Sequence, residues 1–240
     1  MKKLILTTVC ALAVTGAAFA QGTVNWFSIA PNAMTAQTNS TTYSPFFGGG
    51  SAAGGAVGAT GFGTAGYYYE LLNTSYSGAQ ATIPTLSSLL SWSDTGLQAT
   101  NNASGTAGRL VPVNGNAAAA VPWANGVTNS IVLVGWSANL GTSWLTVSND
   151  LQHWNTVQST IVGEAFFGVS ATGYLNPNLA PAAGATLFAT AASANGLPIN
   201  ALNTQLYLLP GAAPVPEPAT MALMGLGGLS LLLFRRQRKS

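Results

Sequence analysis

Ser130-Ile131-Val132-Leu133-Val134-Gly135-Trp136-Ser137-Ala138 is the strongest strand signal in the body of this chain. The run is short, rich in β-branched residues and followed at once by the turn signal Asn139-Leu140-Gly141. It does not alternate with polar residues, so it reads as a strand covered on both faces rather than one with a wet side. Outward from it, shorter apolar or alternating runs lie at 23–29, 67–72, 109–113, 144–147, 164–170, 185–190 and 205–209. Turn signals fall between them: Asn114-Gly115, Asn125-Gly126, Asn176-Pro177 and Asn195-Gly196. One helix is expected over 84–92, with Leu86, Leu89 and Leu90 on one side. Elsewhere Gly, Asn, Thr and Ser are too frequent for long helices, because they favour turns or lose more entropy in a helix. The pattern predicts a mainly β chain, an antiparallel β-sandwich or jelly-roll-like single domain over 21–209. Two stretches read as loops: polar 35–44, and low-complexity 48–66, a mobile excursion without the Lys-Ser/Thr end of a phosphate cradle.

Both ends of the chain read as addresses. Lys2 and Lys3, the apolar run 4–14 and Ala18-Phe19-Ala20 form a signal peptide over 1–20; cleavage between Ala20 and Gln21 is expected, with Ala18 and Ala20 as the small residues of the A-x-A site. Cys10 follows Val9 inside the apolar run, which does not suit a lipoprotein signal. At the other end, prolines at 214, 216 and 218 disfavour helix and keep a linker, 210–215, and the Pro216-Glu217-Pro218 motif extended. An apolar run, 221–234, follows within an expected transmembrane helix over 219–234. Arg235, Arg236, Arg238 and Lys239 then supply the positive charge that stops transfer on the cytoplasmic side.

Pro216-Glu217-Pro218, the apolar segment containing Gly225, Gly227 and Gly228, and the terminal Arg/Lys cluster resemble the PEP-CTERM sorting signal of Gram-negative bacteria. The resemblance covers about a tenth of the chain, 216–240. It implies export, transient retention in the cell envelope through the tail, and cutting near the motif by an exosortase, a membrane cysteine protease. Release to the cell surface or into extracellular polymer would follow.

Removal of both addresses leaves about 195 residues, enough for one domain. The only cysteine, Cys10, leaves with the signal, so the mature chain has no disulfide, thiol nucleophile or thiolate metal site. Six of the seven basic residues sit in the addresses. The body keeps Arg109 against Glu70, Asp94, Asp150 and Glu164, so the whole-chain pI of about 8.8 misleads. A body without a basic patch is not a nucleic-acid binder. Its solubility rests on neutral polar residues, with little charge repulsion to oppose self-association.

Candidate chemistry is sparse. Ser137-Ala138-Asn139-Leu140-Gly141-Thr142-Ser143-Trp144 resembles the Asp-box hairpin of sialidase-type propellers, with Asn139 at the usual Asp and Ser143 at the usual Thr. Ser148-Asn149-Asp150-Leu151-Gln152-His153-Trp154 resembles a turn of some glycosidase propellers. Two adjacent fragments do not make a repeated-blade array, and two hairpin turns in a sandwich account for the same residues. His153 is the lone histidine; beside Asp150 it has the chemistry of a general base, but it reads as a surface turn residue. No G-x-S-x-G occurs. A glycan hydrolase would need two of Glu70, Asp94, Asp150 and Glu164 to face each other across a pocket. No metal or cofactor site is read. Trp136, Trp144 and Trp154 are the candidates for stacking on sugar rings. The function expected is a non-catalytic structural or adhesive role at the cell surface or in the matrix. Its partners would be an exosortase, the membrane for a time and extracellular polysaccharide. A carbohydrate-binding module is the alternative and a glycan hydrolase the third reading.

Overall fold

The computed structural model describes residues 21–26, 34–53, 55–63, 66–78, 80–113 and 117–211. The segments read as signal peptide, 1–20, and as sorting tail, 216–240, lie outside the described residues. No helix among the described residues is long and apolar enough to cross a membrane.

The elements in chain order are β1 (Gly22–Asn25), β2 (Met34–Tyr43), β3 (Val57–Ala59), β4 (Tyr67–Ser75), α1 (Leu86–Leu89), β5 (Ser93–Asn101), β6 (Leu110–Pro112), β7 (Ala119–Val121) and β8 (Asn129–Ser137). There follow α2 (Trp144–Gln152), α3 (Trp154–Val157), β9 (Phe166–Val169), β10 (Gly173–Leu175), β11 (Asn178–Leu179), β12 (Ala185–Thr186), β13 (Gly196–Leu197) and β14 (Ala201–Leu208). The chain is mainly β.

Strand β8 holds the fold. It pairs antiparallel with β4 over nine residues, with β9, and with β10. Successive strand residues face opposite sides, and both sides of β8 are covered. Ile131 and Leu133 join Tyr69, Leu71 and Leu206 in one apolar cluster, together with Val24, Val121 and Ala185 of a small second sheet and Trp26 just past β1. Val132, Val134 and Trp136 join Leu72 and Phe167 in the other, beneath Leu89, Trp144, Val147, Leu151 and Trp154 of the helices. The continuous apolar run therefore reflects three layers: small sheet, large sheet, helices. Gly135 sits where a Cβ would come 2.5 Å from the Tyr69 ring and 2.9 Å from Leu206, so only glycine lets that ring lie against β8.

The small sheet places β1 beside β7, β11 and β12. The large sheet runs β3-β2-β14-β9-β8-β4-β5-β6, with β10 and β13 attached beside β8. It curls. Thr35 of β2 bridges Arg109 at the entrance to β6, and the Ala36 N–H donates to the Gly108 carbonyl at 2.7 Å, so the sheet closes on itself between β6 and β2, the strand next to the end.

Four sequence expectations change. The sheets are mixed rather than antiparallel throughout: β2 lies parallel to β14, and β1 to β12. Each parallel pair joins strands far apart in sequence, so the long connection that parallel pairing requires is available. The polar stretch 35–44 is not a loop but most of β2, and its ladder to β14 satisfies the backbone that a loop would expose to water. The stretch 48–66 contains β3, paired antiparallel to β2. Finally, 144–147 is not a strand but the first turn of α2. Ser143 caps it, accepting from the Thr146 N–H at 3.4 Å, and the buried residues Trp144, Val147 and Leu151 recur at helical spacing. The helix expected over 84–92 is present as the single turn α1, capped by Thr85, with Leu89 buried.

Candidate functional site

The described chain approaches the sorting tail from β14. The Leu209 N–H donates to the Ala165 carbonyl at 2.8 Å, and the Trp154 indole N–H donates to the Pro210 carbonyl at 2.8 Å. Leu209 is buried. The folded body is thus pinned as far as Pro210. Pro216, Glu217, Pro218, Arg235, Arg236, Arg238 and Lys239 lie outside the described residues, as do Ala18 and Ala20; Gln21 is exposed at the start of the described chain, immediately before β1.

The tryptophans offered for stacking are core residues. Trp136, Trp144 and Trp154 are 0, 4 and 4 % exposed. Trp144 packs 6.2 Å from both Trp136 and Phe167, and Trp154 lies 5.9 Å from Phe47. A ring face covered by protein cannot stack on a sugar, so these indoles serve packing. The surface aromatic pair is Tyr76 and Tyr174, with centroids 4.9 Å apart and planes at 43°. Tyr76 is 41 % exposed.

The turn resembling an Asp-box is built as a polar knot. Ser137 Oγ donates to Asn139 Oδ1 at 2.7 Å and accepts from the Phe166 N–H at 2.8 Å. The Asn139 amide reaches the Val162 and Glu164 carbonyls at 3.0 and 3.1 Å. Trp136 donates its indole N–H to the Gly141 carbonyl at 2.8 Å. The polar side chain caps a turn over tryptophan, as the resemblance implies, but the turn is a 3-10 turn leading into α2 rather than a hairpin. The second fragment, 148–154, is helical as well.

His153 caps the C-terminus of α2 on the surface, with its Nδ1 2.9 Å from the Asn149 carbonyl. Among the described residues no group of three or more His, Asp or Glu side chains gathers to hold a metal.

One acidic pair does form, and no spacing along the chain pairs it. Glu70 on β4 is 4 % exposed. Its Oε2 accepts from the Trp144 N–H at 3.1 Å, at the first turn of α2, and its Oε1 accepts from Gln98 Nε2 at 2.7 Å. Gln98 also donates to the Thr142 carbonyl at 2.9 Å. Burial pushes the Glu70 carboxyl up to about 7, and the neighbouring Asp94 carboxylate adds to the rise; the Gln98 and Trp144 donors oppose it. Asp94 is exposed and accepts from the Gly96 N–H at 2.7 Å. The register explains the meeting: Leu72 of β4 lies opposite Asp94 and Glu70 opposite Gln98 on β5, across a β-bulge. Glu70 closes the N-terminal end of α2, where a carboxylate meets unpaired N–H groups and the positive end of the helix dipole. A separate apolar cleft of about 400 Å³ opens between Phe46, Ile83, Pro84, Leu86, Val169 and Tyr207; neither acid of the pair lines it.

A family model described as the PEP-CTERM protein-sorting motif matches residues 214–239. The chain therefore carries a PEP-CTERM tail, which marks an exported protein processed at the membrane by an exosortase. No curated protein and no solved structure matches the chain.

Proposed function

We propose that the mature body is a structural or adhesive component of the cell surface or extracellular matrix, freed from the membrane when an exosortase cuts near Pro216-Glu217-Pro218. The sorting motif at 214–239 carries this reading. The body supports it: Arg109 is its one base against Glu70, Asp94, Asp150 and Glu164, so a largely neutral surface offers little repulsion between molecules. The intact mass of the protein from the envelope and the medium of its host tests it. The expected product lacks residues 1–20 and the segment after about 215. A secreted species that retains the whole tail overturns it, and so does normal release after all three motif residues are changed to alanine.

A second reading, polysaccharide binding, rests on the surface pair Tyr76 and Tyr174. Loss of retention on a polysaccharide column in a Tyr76→Ala variant would favour it. Unchanged retention would set it aside. The third, a glycan hydrolase, would draw on the Glu70–Asp94 pair, in which Glu70 is committed to the end of α2.

A further inference from the structure

The large sheet treats its two terminal strands differently. At one end, the entrance to β6 folds back onto β2 through the Thr35–Arg109 bridge, and β6 itself ends in Pro112, which donates no backbone hydrogen bond. At the other end, β3 continues along β2 beyond that closure. The Thr60 N–H and the Gly108 carbonyl both engage Ala36, and the Gly108 N–H donates to the Thr60 carbonyl at 3.0 Å, so β3 overhangs the point where the sheet meets itself. On its inner side β3 pairs Val57, Gly58 and Ala59 with Asn39, Thr38 and Gln37. On its outer side it pairs with no strand among the described residues, and all three residues are exposed.

Natural sheets guard such an edge with a very short strand, lysine, proline, an inward charge or a covering element, and β3 has the first of these, at three residues. None of the charged or proline guards is present here: residues 48–66 contain no charged residue and no proline. Val57 is 49 % exposed, and Phe62, three residues beyond the strand, is 55 % exposed. The occupant is specified by chemistry. An open strand edge presents backbone N–H and C=O groups, which an extended strand satisfies and a globular apolar surface does not. Neutrality selects which strand: a charged partner finds nothing here to pair with, whereas a second neutral edge meets no like charge.

We infer that β3 is an assembly edge that pairs antiparallel with β3 of a second copy of this protein. Such a joint is two-fold and self-complementary, so it occupies both open edges at once and closes at a pair rather than growing into a fibre. The inference rests on the structural or adhesive role proposed above and names the partner through which that role begins.

The test uses the processed protein isolated from its host. A Val57→Lys substitution puts two like charges across the joint and is expected to weaken self-association roughly five- to tenfold by analytical ultracentrifugation. Val127→Lys, at a site 47 % exposed elsewhere on the surface, should leave it unchanged. A Gly58→Cys variant adds a side chain where a Cβ meets nothing within 4 Å, in a mature chain with no other cysteine, and mild oxidation should yield a disulfide-linked pair. Equal association of the Val57 and Val127 variants overturns the inference, as does a Gly58→Cys protein that associates without cross-linking. A protein that is monomeric at every concentration but found at the surface overturns the β3 joint alone. The mass measurement judges the sorting and surface reading separately.

Discussion

Strands β8 and β2 are both interior members of the large sheet, yet they are held by opposite means. In β8 every residue from Ser130 to Ser137 is buried, and apolar side chains fill both faces. In β2 six of the last seven residues, 37–43, are only half-buried, and polar side chains join the strands. The Asn39 amide donates to Gln205 Oε1 at 3.1 Å, and Asn39 Oδ1 accepts from the Thr41 N–H and hydroxyl at 3.1 and 2.8 Å. Farther along, Thr35 Oγ1 and Asn203 exchange two bonds at 3.3 and 2.8 Å. Burial of apolar area stabilises through water released, whereas each polar contact exchanges one hydrogen bond for another and gains about 1 kcal/mol net. The same pairing geometry is thus reached by a strong, non-directional force on one strand and by many weak, directional ones on the other.

The contrast is sharpest under truncation of Trp136. The Trp136→Ala variant removes a fully buried indole from the layer shared by β8, Trp144 and Phe167, and a loss of about 3–5 kcal/mol is expected in urea unfolding. A loss under 1 kcal/mol would mean that the helical layer is not packed as described.

Glu70 tests the strand next to β8, where a charge is embedded in the apolar layer. Its folded carboxyl titrates at about 7 against an ordinary value of 4.5. The folded state therefore keeps a proton that the unfolded chain releases between those values. The sign follows: this contribution is fully present below about pH 4.5 and is lost as pH rises to about 7. Stability should fall by roughly 2–3 kcal/mol over that window. In Glu70→Gln the slope should flatten. A wild-type profile rising with pH across the window would contradict the description of Glu70 as a buried acid beside Asp94.

At the other extreme, Asn39→Ala in β2 should cost about 2–3 kcal/mol, since it deletes three hydrogen bonds of about 1 kcal/mol each at the one buried side chain of a half-buried stretch. If Asn39→Ala cost as much as Trp136→Ala, the division between the two strands would fail.

Legibility in the sequence tracks the same division. Strands that bury apolar side chains announced themselves: 130–138 became Asn129–Ser137, 67–72 became the core of Tyr67–Ser75, and 205–209 the end of Ala201–Leu208. β2 did not, because Thr, Asn, Gln and Ser are as suited to a solvated loop as to a strand whose partner supplies their hydrogen bonds. The helix α2 was misread for a different reason. Trp144-Leu145-Thr146-Val147 has strand-favouring side chains, and only the spacing of Trp144, Val147, Leu151 and Trp154 shows the helical stripe. The aromatic sites were misplaced because a tryptophan's composition is the same whether its ring faces water or core.

By itself the sequence determined the C-terminal sorting motif, the mainly β class and the strand on which the core is built. These rest on local properties: length, charge, φ restriction at proline and apolar area, each acting without reference to a distant residue. Only the tertiary structure decided that Glu70 meets Asp94 and the end of α2, that the tryptophans are buried, that β2 lies parallel to β14 and that β3 has no second partner strand among the described residues. Each of those depends on register and curl, which bring together residues that no spacing along the chain relates.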